Sequence, residues 1–210
     1  MSLTSKIVLT TIGGGSAITG GIIYSQIQNK TAIYELIKKE GKTILLTESS
    51  EKVDWDASWK TYKTSNNPWK LNVENEESSQ AFQDACKSKS EIAVKDFSDK
   101  RFQEIKAWCT RNLTIAEWLK KEGTQILKTG DSADKWNKAW ENYKAASINK
   151  KSNNQPADND VWGTSDWGTQ KNLNTPSEKF KEKCMEKSKI KVVDTSSEDF
   201  QRVKAWCLSK

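Results

Sequence analysis

The sequence predicts a mainly α-helical protein, in which an N-terminal membrane-anchor helix is followed by two tandem repeats of short disulfide-stapled helices. Three observations lead to this prediction: an uncharged apolar segment near the N-terminus, an internal repeat, and four cysteines in two equally spaced pairs. The predicted organisation is a signal-anchor or signal peptide at 1–28, a first repeat unit at 31–110 and a second at 113–210.

Composition excludes several classes of protein. Ten tryptophans argue against a disordered chain, although 30% of the residues are charged. Histidine is absent, so catalytic triads, metal sites and proton shuttles that need it are excluded. The 34 basic and 28 acidic residues interleave along the chain. Because no basic stripe lacks its counter-charge, we expect no nucleic-acid partner.

The apolar segment Ile7–Tyr24 contains 18 residues and no charge. As a helix it would span about 27 Å, which is close to the hydrocarbon thickness of a bilayer. Gly13, Ala17 and Gly21 recur every fourth residue, a spacing typical of packed membrane helices. Lys6 favours a cytoplasmic N-terminus, so the predicted localisation is a single-pass cell-membrane protein with an extracellular C-terminal region.

Other interpretations of this segment stay open. A cleaved signal peptide is one, although no clear cleavage site precedes the polar region. A buried or disordered N-terminus is another. A phosphate-binding loop is disfavoured, because Gly21 stands where the motif that would begin at Gly15 requires lysine.

The repeat consists of three collinear matches. Residues 32–47 and 114–129 are identical at nine of 16 positions, at an offset of 82. Residues 82–109 and 180–207 are identical at 14 of 28 positions, at an offset of 98. Between them, a Trp-x3-Trp-x2-Tyr-Lys motif occurs at both Trp55 and Trp136. The second unit is longer by 17 residues, which we place in a surface loop at about 145–175. The loop is rich in Asn, Ser, Gly and Pro and carries no core residue that the repeat matches.

Each unit is predicted to contain four short helices. The lead helix covers Ile33–Lys39 or Ile115–Lys121 and ends at a glycine; Thr114 and Glu117 suit a capping box. The second helix carries the Trp-Trp-Tyr face, the third a Phe and a Cys four residues apart, and the fourth ends at Trp-Cys. Thr175 is predicted to be the N-cap of the third helix in the second unit, because proline follows it.

The four cysteines form two pairs, each 23 positions apart, and each unit holds one pair. The simplest pairing is therefore one disulfide within each unit, Cys86–Cys109 and Cys184–Cys207, which indicates an oxidising compartment. Buried free thiols remain an alternative. A four-cysteine zinc site is disfavoured, because it requires closely spaced pairs.

Seven tryptophans, six of them matched between the units, are predicted to fill the cores. Trp69, Trp162 and Trp167 lie between the Trp-Trp-Tyr helix and the Phe-Cys helix, in the segment whose length differs between the units. They are candidate binding residues for sugars or protein partners, unless they fold back over the units. Asp158 and Asp160 are spaced as in a calcium loop, but the required later oxygen ligands are missing. We expect no metal, no cofactor and no catalytic residue.

A glycine-rich apolar start, a lysine- and tryptophan-rich body, a WLKKEG lead and terminal Trp-Cys pairs together carry a family resemblance. The residues are Gly13–Gly15, Glu117–Gly123, Cys86, Trp108-Cys109, Cys184 and Trp206-Cys207. The chain resembles the paralogous surface-protein families of haemotropic mycoplasmas, although two tandem units differ from the commoner single-unit members.

This resemblance implies surface display with an antigenic or host-interaction role and no catalysis. The partners would be the membrane, the host-cell surface or antibodies. The alternative is a carbohydrate- or protein-binding module that uses exposed loop tryptophans.

Overall fold

The computed structural model describes residues 30–72, 74 and 77–208. The predicted anchor at 1–28 lies outside the described residues. Of the helices in the described part, none combines the length and apolar character that crossing a bilayer requires.

The described part of the chain is mainly helical, as predicted. Short strands occur at the edges of the helical units: β1 (Thr31–Ala32), β2 (Thr43–Leu45), β3 (Ala93–Val94) and β4 (Thr110–Asn112). The helices are α1 (Ile33–Glu40), α2 (Lys52–Lys63), α3 (Gln80–Ser90), α4 (Lys100–Trp108), α5 (Ile115–Lys121), α6 (Ala133–Ala145), α7 (Trp167–Gln170), α8 (Glu178–Ser188) and α9 (Glu198–Trp206), with a 3₁₀ turn at Ser147–Asn149.

Buried apolar side chains form two separate clusters. One extends from Ile33 to Cys109 and the other from Ile115 to Leu208. Tryptophan, tyrosine and phenylalanine rings dominate both clusters, because each unit has few aliphatic side chains with which to fill a core. Each cluster is therefore an aromatic core enclosed by four of the longer helices.

Both predicted disulfides are present. Cys86–Cys109 joins α3 to the residue after α4, with 5.5 Å between the Cα atoms. Cys184–Cys207 joins α8 to the residue after α9, with 5.6 Å between the Cα atoms. All four cysteines are buried and paired, so the alternatives of free thiols and a zinc site are wrong.

A side-chain cap starts α3, α4, α5, α8 and α9, and one of the predicted caps needs correction. The Thr114 hydroxyl accepts from Glu117 N, and the Glu117 carboxylate accepts from Thr114 N, so the predicted capping box is confirmed. The N-cap of α8 is Ser177 and not Thr175: its Oγ accepts from Phe180 N at 3.2 Å and donates to the Asp166 carboxylate.

Beyond the glycine that ends each lead helix, the two units correspond at an offset of 81 and not 82. Leu46 N donates to Cys109 O at 2.8 Å, and Leu127 N donates to Cys207 O at 2.9 Å. An ungapped alignment matches Leu127 to Leu45 instead. Burial decides the register, because Leu46 and Leu127 both lie in the core and the strand alternates its faces.

The short ladders link segments that are distant in sequence. β1 pairs antiparallel with β3, and β2 pairs antiparallel with β4, the strand that connects the two units. In the second unit each ladder is reduced to a single bridge. Thr114↔Lys191 corresponds to the β1–β3 pairing, and Ile126↔Leu208 corresponds to the β2–β4 pairing. The connection between the units is thus part of the first unit's structure.

Candidate functional site

Two of the three candidate binding tryptophans, Trp69 and Trp162, occupy equivalent positions in the two aromatic cores. In its own unit, each ring packs beside the tyrosine of the Trp-Trp-Tyr helix and beside the tryptophan of the Trp-Cys pair. The ring-centroid distances are 5.1 Å for Trp69–Tyr62, 5.2 Å for Trp69–Trp108, 5.0 Å for Trp162–Tyr143 and 5.0 Å for Trp162–Trp206.

Of the two alternatives for these tryptophans, the structure shows the one in which they fold back over the units. Trp162 is 7% exposed and Trp167 is 2% exposed, while Trp69 is partly buried against the first core. The Trp167 indole donates to Ala157 O at 2.9 Å. Burial of large rings outweighs the polar composition of the surrounding segment, so these side chains stabilise the cores and are not free to anchor a ligand.

Asn67 lies two residues before Trp69, and Asp160 lies two residues before Trp162. Each of these side chains holds the loop against the core by hydrogen bonds. In the first unit Tyr62 donates its hydroxyl hydrogen to Asn67 Oδ1 at 2.5 Å, and Leu71 N donates to the same oxygen at 2.8 Å. In the second unit Tyr143 donates to Asp160, and Thr164 N donates to Asp160 Oδ1 at 2.7 Å.

This match divides the inserted residues of the second unit. Twelve of the 17 extra residues lie between Tyr143 and Asp160, and five follow Trp162. The insertion is folded: Asn149 is fully buried, accepting from Val161 N at 2.8 Å and donating to the Tyr143 carbonyl at 2.9 Å. The expectation of a loop without core residues is therefore wrong.

The hydroxyl and carboxylate groups of Tyr143, Thr164 and Asp160 beneath the insertion bind one another. The pKa of Tyr143 is raised well above its usual range. Burial of the hydroxyl is the larger cause, and the adjacent Asp160 carboxylate is the second. Asp160 accepts from the Tyr143 and Thr164 hydroxyls, and Asp158 pairs with Lys151 at 2.6 Å. Among residues 30–72, 74 and 77–208, no group of three His, Cys, Asp or Glu side chains could hold a metal ion.

An ion network joins the two units. Asp54 on α2 is buried and contacts Lys191 of the second unit and Arg111 Nε, the latter at 3.4 Å. Arg111 also makes two 2.8 Å hydrogen bonds to the Glu117 carboxylate. The Arg111 guanidinium, together with the N–H of Thr114, lowers the pKa of Glu117 to about 2.

Sequence reasoning missed this network because the two charges that join the units are not repeated. Asp54 corresponds to Lys135 in the second unit, and Lys191 corresponds to Ala93 in the first. The available signal was a charge difference between matched positions.

A second contact between the units involves a glycine. Lys121 Nζ donates to Gly41 O across the junction. Gly41 ends α1 in the left-handed conformation with φ of 65°, and a Cβ there would lie 2.7 Å from Lys121 Nζ. Glycine therefore suits both the backbone conformation and the approach of the lysine.

A groove of about 630 Å³ lies between α1, β2 and α5. We call it the junction groove. Its apolar lining comes from Ile37, Ile44, Leu45 and Leu113. Tyr34, Lys38, Lys120 and Lys121 also line it, and their side chains are exposed.

The lysines of the junction groove are poorly neutralised by the protein. Among the described residues, neither Lys38 nor Lys120 forms an ion pair. Of the described residues that line the groove, Glu117 alone is acidic, and Arg111 engages both of its carboxylate oxygens. The groove therefore combines apolar walls with a net positive charge.

No protein-family model matches the chain, and no curated protein or solved structure is significantly similar to it.

Proposed function

We propose that the chain is a non-catalytic protein displayed on the outer face of the cell membrane. The segment Ile7–Tyr24 would hold it in the membrane, and the two units would contact host cells or antibodies. The observation that carries this proposal is the pair of disulfides, one in each aromatic core. Structural disulfides form and persist outside the reducing cytosol.

The junction supports presentation of the two units as one body. Asp54 lies between cations from the connecting strand and from the second unit, and Lys121 reaches back to the end of α1. β2 and β4 add backbone hydrogen bonds between the first unit and the connection. A partner or antibody would thus contact one continuous surface and not two units that move independently.

A second candidate function is a binding module. The buried tryptophans no longer favour it, but the junction groove does, because it is accessible, largely apolar and lined by lysines. The antigenic role rests on the resemblance to paralogous mycoplasma surface proteins, and display would be required for either function.

Protease treatment of intact cells tests the display proposal. We expect cleavage first within residues 151–155, which are all exposed at the tip of the insertion and lie between the bridged residues Lys150 and Pro156. Lysed cells serve as the positive control, and a cytosolic protein serves as the control for cell integrity. Complete resistance in intact cells with cleavage after lysis would refute surface display.

A further inference from the structure

We propose that the junction groove binds an anionic phospholipid of the membrane that carries the chain, with an acyl chain along the apolar walls and the phosphate beside the lysines. The inference rests on the proposed membrane attachment for the source of the lipid. The groove itself is a property of the described residues.

The shape and lining of the groove suit an acyl chain. A volume of about 630 Å³ is within the usual range for small-molecule sites, which are concave and mostly apolar. Ile37 and Leu113 are buried at its base, while Ile44 and Leu45 are half-buried on β2. An apolar chain laid here would cover aliphatic surface that water now contacts.

The charges select the head group. Lys38 comes from the first unit, and Lys120 and Lys121 come from the second, so the positive charge of the groove exists only where the units meet. Lys121 is positioned by the carbonyl of Gly41 and by the ring of Trp118, whose centroid lies 4.8 Å from Nζ. A phosphate would find unpaired ammonium donors here, whereas a zwitterionic head group would bring a repelled cation.

The position of the groove in the chain places it near a bilayer. Only residues 25–30 separate Tyr24 from β1, and six residues extend at most about 20 Å. β1 continues directly into α1, which supplies Tyr34, Ile37 and Lys38 to the groove. If Ile7–Tyr24 spans the membrane, the groove lies within reach of the lipid head groups.

The corresponding face of the second unit differs. Tyr34 corresponds to Ala116, so the aromatic side chain is missing there. The pocket beside Ala116 also contains apolar side chains and lysines, but all of its lining comes from the second unit: Lys120, Ile126, Leu127, Lys128, Met185 and Lys189 are among its residues. Because the junction groove takes its walls from both units, we expect one bound lipid per pair of units.

Native mass spectrometry of the full chain in detergent, titrated with phosphatidylglycerol or phosphatidylcholine, tests the proposal. We expect one phosphatidylglycerol bound at least about ten-fold more tightly than phosphatidylcholine, because lysines contribute favourably near anionic lipid. The triple variant Lys38→Gln, Lys120→Gln, Lys121→Gln is expected to lose most of this preference.

The matched control is Lys60→Gln, Lys95→Gln, Lys138→Gln, which removes the same charge from exposed lysines outside the groove. It should bind phosphatidylglycerol like the wild type. A second groove variant, Tyr34→Glu, adds a negative charge at an exposed position, so it should weaken binding without unfolding the chain.

Three outcomes would overturn the assignment: equal affinity for the two lipids, equal losses in the groove and control variants, or tighter binding of a free fatty acid than of phosphatidylglycerol. Because the titration is done in detergent, it does not depend on where the protein lies in the cell. Failure of surface display in the protease experiment would leave the lipid result intact, and the reverse also holds.

Discussion

Truncation of Trp162 should destabilise the second unit. Trp162 is 7% exposed, and its ring centroid lies 5.0 Å from Tyr143, 6.0 Å from Phe180 and 5.0 Å from Trp206. Trp162→Ala removes these contacts and leaves a cavity, so we expect a loss of about 3–5 kcal/mol in the free energy of unfolding.

Trp162→Phe should cost much less than the alanine variant. The Trp162 indole Nε1 is buried and has no hydrogen-bond partner among the described residues, so phenylalanine loses ring area but no hydrogen bond. In the first unit, Trp69 Nε1 donates to Glu104 at 3.4 Å. Arg202, a donor, stands at the position that corresponds to Glu104, which explains why Trp162 lacks this bond.

Guanidinium unfolding of the full chain, followed by far-UV circular dichroism, measures the effect. The two cores could unfold in separate transitions, so Trp69→Ala serves to assign the transition of the first unit. Leu173→Ala is the control within the same inserted region, because Leu173 is 46% exposed and its truncation should change stability by less than about 0.5 kcal/mol. A loss below about 1 kcal/mol for Trp162→Ala would refute the assigned core position.

Three further predictions follow from the disulfides, the loop clamp and the junction. Replacing Cys184 and Cys207 together by alanine should cost about 3 kcal/mol, measured by chemical unfolding, because the bond closes a 23-residue separation; an unchanged midpoint would contradict this. Asp160→Ala should lower the melting temperature by several degrees, and Asp160→Asn should lower it less, since the amide keeps one accepting oxygen and the first unit uses asparagine there; equal effects would argue against the clamp. The pKa of Glu117 is lowered from 4.5 to about 2, so its contribution is present above about pH 4.5 and is lost as the pH falls toward 2. Since the Glu117 side chain is 34% exposed, we expect it to contribute only about 1 kcal/mol to the free energy of unfolding. In Glu117→Gln, stability should therefore fall less steeply as the pH is lowered from 4.5 to 2.

Local patterns in the sequence were sufficient for the helical class and the disulfides. The Trp-Trp-Tyr spacing defines one helix face, and a capping box at Thr114 and Glu117 acts over three residues. The cysteine pairing followed from equal spacing in two copies, since only three pairings of four cysteines exist. These features depend on contacts within one helix or on counting, and so a linear sequence displays them.

Tertiary packing decided the features that no local pattern records. Asparagine and serine around Trp162 indicate a loop, yet the ring is buried because Tyr143, Phe180 and Trp206 surround it only after folding. The one-residue shift near Leu127 likewise depends on which side chain faces the core.

The sequence by itself determined the helical character of the units and the capping box at Thr114, because each arises from short-range spacing, and it determined the disulfide pairing through the repeat. Only the tertiary structure decided how the units meet. Asp54 and Lys191 come together across 137 positions of sequence, and the junction groove combines Tyr34 and Lys38 of the first unit with Lys120 and Lys121 of the second. The attraction between Asp54 and Lys191 depends on distance in space, which the order of residues does not contain.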